Sequence, residues 1–514
     1  MKSVFFNNEV LDVEKKIIKE FSIPSITLME NAGKNAAEFI KSKIKSNSHI
    51  VILTGKGNNA GDGFVIARHL ANSKIASTVA MVYSSKDLKG DAFINYNILS
   101  EYKNYVQIVS CKNVNSSRKL IKKDTVIIDA LFGIGFRGQV DARIRKIFEF
   151  INNIKSKTVF AIDVPSGLYS YNQKEVMLNG DYTISMGVKK FHSVFFNGRE
   201  SSGENTTVKI GVEPEAFDRY NKRKIFEIEQ SDISKLIVQR RVNSHKYSNG
   251  KVFALAGAKG LTGAAFLCSQ AALRTGSGAV ILGTPESMNT ILARKLTEVM
   301  TLPLPETKDA SLSLDSYKLI KNKIKWCDCL LIGPGVSKNP ETINLISKIV
   351  NENDVPILLD ADGLQAFKNI KSKNRKNIII LTPHFGEFAS ILGITAEEVK
   401  SDFYNLSVKF AKKHNVILVL KGSPSIITDG ISFYINSSGN PSLATAGSGD
   451  VLSGIIASFY SRNKNPLNAA LAGVFIHGGC ADILLKKRNA NFTTIASDLI
   501  KVIPDSIKSI IEVV

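Results

Sequence analysis

Short apolar runs alternate with longer amphipathic stretches along most of this 514-residue chain. Residues 9 to 45 carry helical spacing broken at Pro24, with "LMENAGKNAAEFI" on the second helix. Next, "HIVILTG", "STVAMVYS", "DTVIIDALFG", "TVFAIDVPSG" and "DYTISMGV" read as strands, while the stretches near 63–72, 90–102 and 141–154 read as helices. Unbroken Val/Ile runs mark strands buried on both faces. The pattern therefore predicts a Rossmann-like, doubly wound, mainly parallel sheet. The alternation lapses over residues 213–245, a polar segment, and the boundary is expected near 225–240, giving domains 1–225 and 226–514. The pattern then restarts with "KVFALAGAKG", "GAVILGTPE", "CDCLLIGPGV", "VPILLDADG", "NIIILTPHFGEF" and "VILVLKGSPSIITD", which predicts a second α/β domain.

Composition narrows the class. Hydrophobic residues at 44% and charged residues at 22% fit a globular protein too long for one core. No apolar run reaches the length of a membrane span, and "MKSVFFNNEV" lacks the features of a signal peptide, so a cytoplasmic protein with no membrane partner is expected. The net charge of +21 invites a nucleic-acid reading. The lysines, however, are scattered, with no arginine-rich tract and no aromatic–basic interleaving. No nucleic acid is expected, and the positive field suits a polyanionic small molecule such as a dinucleotide. Cys327 and Cys329 sit in a strand-like run without a second pair or a histidine cluster; all five cysteines are expected to be reduced thiols, with no zinc site.

Candidate chemistry lies at strand ends. "GKGNNAGDGFVIARHL", residues 55–70, joins a strand to a helix through glycines, yet it is neither a P-loop nor GxGxxG. Three rims are polar: Asn58, Asn59 and Asp62 after one strand, Asp129 before a glycine-rich loop, and Asp163 with Ser166 after another. Asp129 and Asp163 end apolar runs, where an unpaired carboxylate is costly and a bound cation or polar substrate would relieve the cost. Oxygen donors suit a hard ion rather than zinc. Each loop taken singly is equally an Asx turn or a helix cap.

In the second half, "SLATAGSGDVLSGIIASF", residues 442–459, runs small residues into Gly447, Ser448, Gly449 and Asp450 at a helix start. Backbone N–H groups there can hold a phosphate, and the aspartate can move a proton on a substrate hydroxyl. An aspartate-capped helix is the plain alternative. His384 in "TPHFGE" reads as a turn residue or as a ligand contact, and Glu387 as a group closing the loop onto a backbone N–H. Asp360 and Asp362 either position a metal–phosphate group or turn the chain.

"MENAG", "GxGNNxGDG", "DALFGxG" and "DxPSGL" in this order resemble the YjeF-type NAD(P)H-hydrate epimerase domain over about residues 1–220. The resemblance implies substrate contacts from Asn58, Asn59, Ala60, Gly61, Asp62 and from Gly133, Ile134, Gly135, Phe136, Arg137, Gly138 and Gln139. It also implies potassium held by Asn59, Asp129 and Ser166, and proton transfer at Asp163, a substrate contact. Ala60 departs from the family's glycine, and a positive φ there would be costly for alanine.

The pieces "SHKYSNGKVFALAGAKGLTGAA", "EVM", "IGPG", "DADGL", "TPHFGE", "LKGSPSIITD" and "AGSGD" span residues 244 to about 485 and resemble ribokinase-like ADP-dependent NAD(P)H-hydrate dehydratases. The implied substrate contacts are Ala265, Gly335, His384 and the catalytic Asp450. ADP, as co-substrate, would contact Lys421, Gly422, Ser423, Pro424, Ser425 and the 441–450 loop with Gly447, Ser448 and Gly449, and Mg²⁺ is expected with it. "HKYSNG" and "GSGD" stand for the family's "HKG" and "GTGD". The resemblance as a whole implies repair of hydrated NADH and NADPH by small-molecule chemistry, in an expected homo-oligomer. The alternatives are a ribokinase-type small-molecule kinase with a non-catalytic first domain, and a non-enzymatic basic scaffold. Intact Asp129, Asp163 and Asp450 speak against the scaffold.

Overall fold

The computed structural model describes residues 1–45, 47–371, 375, 376 and 378–512. It divides into two compact units, Lys2–Lys222 and Arg223–Val514.

The strands of the first unit are β1 (Lys2–Phe5), β2 (Ile50–Thr54), β3 (Ser77–Met81), β4 (Val106–Ser110), β5 (Val126–Ala130), β6 (Thr158–Ile162), β7 (Tyr182–Met186), β8 (Lys189–Lys190) and β9 (Glu204–Val208). The sheet runs β4-β3-β2-β5-β6-β7-β9, and every pairing is parallel. Along β2, Ile50 and Ile52 enter one apolar cluster and Val51 and Leu53 the other. That two-faced burial is why the strand reads as an unbroken apolar run. The order reverses between β2 and β5, so their carboxyl ends flank the crevice where open α/β sheets bind ligands. Asn7–Phe21 and Ser25–Lys43 are the two helices expected on either side of Pro24.

The second unit contains β10 (Ile225–Glu227), β11 (Lys251–Leu255), β12 (Ala279–Pro285), β13 (Met300–Leu304), β14 (Cys329–Ile332), β15 (Ile357–Leu359), β16 (Ile379–Leu381), β17 (Val416–Leu420), β18 (Ile426–Thr428) and β19 (Phe433–Ile435). Its sheet is ordered β13-β12-β11-β14-β15-β16-β17-β18-β19-β10. Pairing is parallel from β13 to β17, and β18 runs antiparallel to both its neighbours.

Three expectations need correction. Residue 225 does not close the first domain: β10 pairs with β19, Ile225 against Phe433, so it folds with the second unit. The stretch "VILVLKGSPSIITD" is a hairpin of two strands, because the chain turns back at Lys421–Ser425. Helix Pro466–Arg488 is, by length and composition, apolar enough to cross a membrane, although Asn468, His477 and Asp482 break any simple apolar run. Its most apolar window is 72% buried inside the unit, as in a core helix.

Candidate functional site

In the first unit, helix Asn58–Asn72 begins four residues after β2, so Asn58, Asn59, Ala60, Gly61 and Asp62 form its opening turns. Ala60 is helical and fully buried, so this position does not need glycine. Gly55 does: a Cβ there would stand 2.1 Å from the Leu131 carbonyl oxygen, where the loops after β2 and β5 approach each other. Asn59 is 7% exposed, yet neither its amide nitrogen nor its oxygen has a hydrogen-bond partner. An unpaired buried amide costs on the order of 1–3 kcal/mol and leaves its hydrogen-bonding capacity open to a ligand, an ion or a water. Gly133 faces it, with a Cβ position 3.4 Å from Asn59 Cγ.

Asp129, the penultimate residue of β5, is fully buried. Ser166 donates to it twice, from its amide at 2.8 Å and its hydroxyl at 2.6 Å, and the Leu131 amide donates at 3.3 Å. Burial pushes the Asp129 carboxyl up to about 6 against the pull of these donors. Asp163 follows β6 with φ +71°, a left-handed backbone that aspartate tolerates at some cost. One of its oxygens is ion-paired with Lys190 and accepts from the Met186 amide at 3.3 Å. Lys190 is fully buried and donates to the Met186 carbonyl at 2.7 Å. In sequence, "GVKKFHS" looks like a charged surface turn, and nothing there signals a buried ammonium.

These rims enclose a cavity of about 760 Å³. Of the expected residues, Asn58, Asn59, Asp62, Gly133, Ile134, Gly135, Phe136, Arg137 and Asp163 line it. Gly61 packs on Met29, Gly138 and Gln139 are exposed outside it, and Asp129 and Ser166 are buried without lining it. Glu14 of helix Asn7–Phe21 also lines the cavity, although its position resembles any polar site on an amphipathic helix. Burial pushes Glu14 up to about 7, with Lys190 opposing and Asp163 adding. Burial, together with the charges of Asp163 and Glu14, holds Asp62 well above the usual carboxylate range.

In the second unit the expected residues gather at the carboxyl ends of β11, β14, β15, β16 and β17. Asp450 lies in the first turn of helix Ser448–Asn463, which is entered through Gly447 at φ +84°. A Cβ at Gly447 would also meet Leu267 at 2.5 Å, so the turn requires glycine. Lys421 Nζ donates to Asp360 at 2.8 Å and stands 3.8 Å from Glu387. It is also 3.3 Å from the Cβ position of Gly449, which places a cation against the helix start. Burial disfavours the Lys421 charge, but Asp360 and Glu387 more than offset this and hold it above its usual value. Asp450 is pushed up to about 7, by burial first and then by the charge of Asp360, with Lys421 opposing.

The turn Lys421–Ser425 closes on itself, with the Gly422 amide donating to Ser425 Oγ at 3.3 Å. Glu387 accepts from the His384 amide at 2.8 Å, as its sequence position suggests. His384 Nδ1 in turn accepts from the amides of Gly386 and Glu387 at 3.0 and 3.2 Å, and its side chain is 59% exposed. Gly335 packs on Leu261 and Ala264. Ala265 is fully buried against Gly257. Two residues escape sequence reasoning. His477, kept neutral by burial at about 4, lies 3.2 Å from Ser448 Oγ, and Asp482 accepts from the Gly439 amide at 2.8 Å and from Asn440 at 2.9 Å. Both belong to helix Pro466–Arg488, which reads in sequence as core alone.

Comparison with known proteins matches both halves. Residues 25–191 fit the family profile described as YjeF-related protein N-terminus, and residues 252–505 that of NAD(P)H-hydrate dehydratase. The bifunctional NAD(P)H-hydrate repair enzyme Nnr of Moorella thermoacetica is 33% identical over 98% of this chain and 96% of its own. The enzyme of the same name from Dictyoglomus turgidum is 31% identical over 98% of each chain. A ribokinase-like superfamily protein from Enterococcus faecalis, 21% identical, superposes with a TM-score of 0.50 over 56% of this chain and 96% of its own, which shows a ribokinase-like fold. With both profiles in order and relatives aligned end to end, the chain belongs to the family of bifunctional NAD(P)H-hydrate repair enzymes.

Proposed function

We propose that the first unit interconverts the R and S epimers of hydrated NADH and NADPH in the Asp163 cavity. The second unit dehydrates the S hydrate at Asp450, using ADP and releasing AMP and phosphate. The observation that carries this reading is an aspartate at a strand or helix end in the field of a lysine in each unit: Asp163 ion-paired with the buried Lys190, and Asp450 under the charge of the half-buried Lys421. Family membership supports the reaction pair, and these carboxylates supply its proton chemistry.

In the second unit, Asp450 takes the proton of the substrate hydroxyl as the phosphoryl group arrives, a role suited to a carboxyl near neutrality. Lys421 and the amides of Gly447, Ser448 and Gly449 offset phosphate charge. The 421–425 turn, with Gly422, Ser423, Pro424 and Ser425, borders the nucleotide, and Gly335 and His384 border the hydrated ring. Mg²⁺ would accompany the nucleotide phosphates, with Asp360 and Asp362 offering oxygens to hold it. Phosphorylation turns hydroxide, a poor leaving group, into phosphate, and its loss restores the reduced ring.

In the first unit, Asn59, Asp129 and Ser166 would hold potassium. The fit rests on the unpartnered Asn59 amide and on a donor set with a single carboxylate, whose low charge suits a monovalent ion. Such an ion supplies a fixed positive charge beside the substrate. Asp163, held by Lys190, acts on the substrate's protons.

The test is to incubate the full chain with a mixture of both hydrates and follow the recovery of nicotinamide absorbance with ADP, with ATP or with no nucleotide. Complete recovery of both epimers with ADP is expected. No recovery from either hydrate, together with a stable phosphorylated product when vitamins or sugars are supplied with ATP in their place, would establish the kinase alternative instead.

A further inference from the structure

Three carboxylates share the cavity of the first unit, and they are not equivalent. Asp163 is tied to Lys190. Glu14 and Asp62 have no hydrogen-bond or ion-pair partner for their carboxylates among the described residues, although burial and mutual repulsion disfavour their charge. The cavity therefore sets a carboxylate paired with an ammonium beside carboxyl groups whose charged form is disfavoured.

That division matches what inversion of a ring hydrate needs. A dihydropyridine is an enamine, so water adds at the carbon next to the ring nitrogen and leaves a hemiaminal hydroxyl there. To invert that carbon, the nitrogen lone pair forms a C=N bond while the C–O bond breaks. The departing oxygen needs a proton to leave as water. Water then adds to the opposite face, the C=N pair returns to nitrogen, and the incoming water gives up one proton. One donor and one acceptor suffice, and no oxidant or reductant is involved.

We propose that Glu14 is the second proton-transfer group of the epimerase centre, protonating the departing hydroxyl while Asp163 accepts the proton of the incoming water. The inference rests on the reading of this cavity as the epimerase site. Glu14 comes from helix Asn7–Phe21, whereas Asp163 follows β6, so donor and acceptor belong to different elements of the cavity wall. After one inversion Glu14 is ionised and Asp163 protonated; exchange with water resets them, and the reverse inversion runs the same path backwards. The charged groups facing Glu14 are Asp62, Asp163 and Lys190, and Lys15, Lys56, Asp91, Tyr83 and Arg137 line the same cavity. Asp62, whose charge burial, Asp163 and Glu14 all disfavour, lines the same cavity from helix Asn58–Asn72.

The experiment uses the full chain and purified epimers, with inversion followed by NMR and the chain's own dehydration rate as a folding control. Glu14→Gln should lower kcat for inversion by about 10²-fold with little change in KM. The wild-type rate should fall as pH rises through about 7, where Glu14 loses its proton, and this fall should vanish in Glu14→Gln. Glu14→Asp keeps the acid and should recover part of the rate, which separates chemistry from folding. In oxygen-18 water, each inversion should place label in the hydroxyl. A wild-type rate and pH profile in Glu14→Gln, or inversion without label uptake, overturns the proposal. A full rate in Asp163→Asn alone instead overturns the acceptor assigned above and leaves the donor standing.

Discussion

Lys421 and Asp360 meet at 2.8 Å at the ends of two parallel strands, β17 and β15, that are not neighbours in the sheet. Asp360 is 1% exposed, so its charge depends on this lysine. Lys421→Met strands a buried carboxylate and should destabilise the second unit by about 3–5 kcal/mol in denaturant unfolding. The double variant Asp360→Asn/Lys421→Met should recover more than half of that loss. An unchanged midpoint in the single variant would show that the pair is not what satisfies Asp360.

Asp450→Asn preserves size and cannot act as a base. Dehydration of the S hydrate should fall about 10²-fold or more, while ADP binding changes little and inversion continues. The carboxyl must be ionised to accept a proton, so wild-type dehydration should rise as pH rises through about 7. The residual rate of Asp450→Asn should lack that rise. Near-wild-type dehydration in this variant would move the base elsewhere.

Asp129→Ala removes the only carboxylate of the proposed potassium site. Inversion should weaken and lose its response to added potassium, and dehydration should be untouched. Equal wild-type inversion rates in potassium and in potassium-free buffer would refute the ion assignment.

The pairing of β10 with β19 sets where the chain can be cut. Fragments 1–222 and 223–514 should each fold, one inverting and the other dehydrating. A fragment beginning at residue 238 lacks β10, leaves β19 unpaired on that side and should melt lower than 223–514. Equal melting of the two would mean that β10 adds nothing to the second core.

Central strands were legible because burial on both faces leaves a continuous apolar signature, as in "IVILT" and "VILVL". Edge strands were not. "ENTTV" of β9 and "VQIVS" of β4 each keep one side partly open and carry polar residues there, and β13 is interrupted by an exposed Pro303. The rim aspartates were legible for the opposite reason, since a carboxylate closing an apolar run has no solvent to explain it. Glu14 and Lys190 were hidden because their local spacing is that of a surface, and only the tertiary fold brings them inside. Helix Asn58–Asn72 starts earlier than its glycines suggest, which is why Ala60 is at ease where a flexible loop would have strained it.

The cap at His384 fixes more than a helix end. With Nδ1 already accepting from two backbone amides, a neutral ring must carry its hydrogen on Nε2. That nitrogen is 3.6 Å from Glu387, too far for a hydrogen bond, so it remains available to a ligand. The exposed edge of this imidazole is therefore a tautomer-locked donor. It can hold a carboxamide oxygen, but it has no lone pair with which to take a proton, and a ligand meeting it must bring the acceptor.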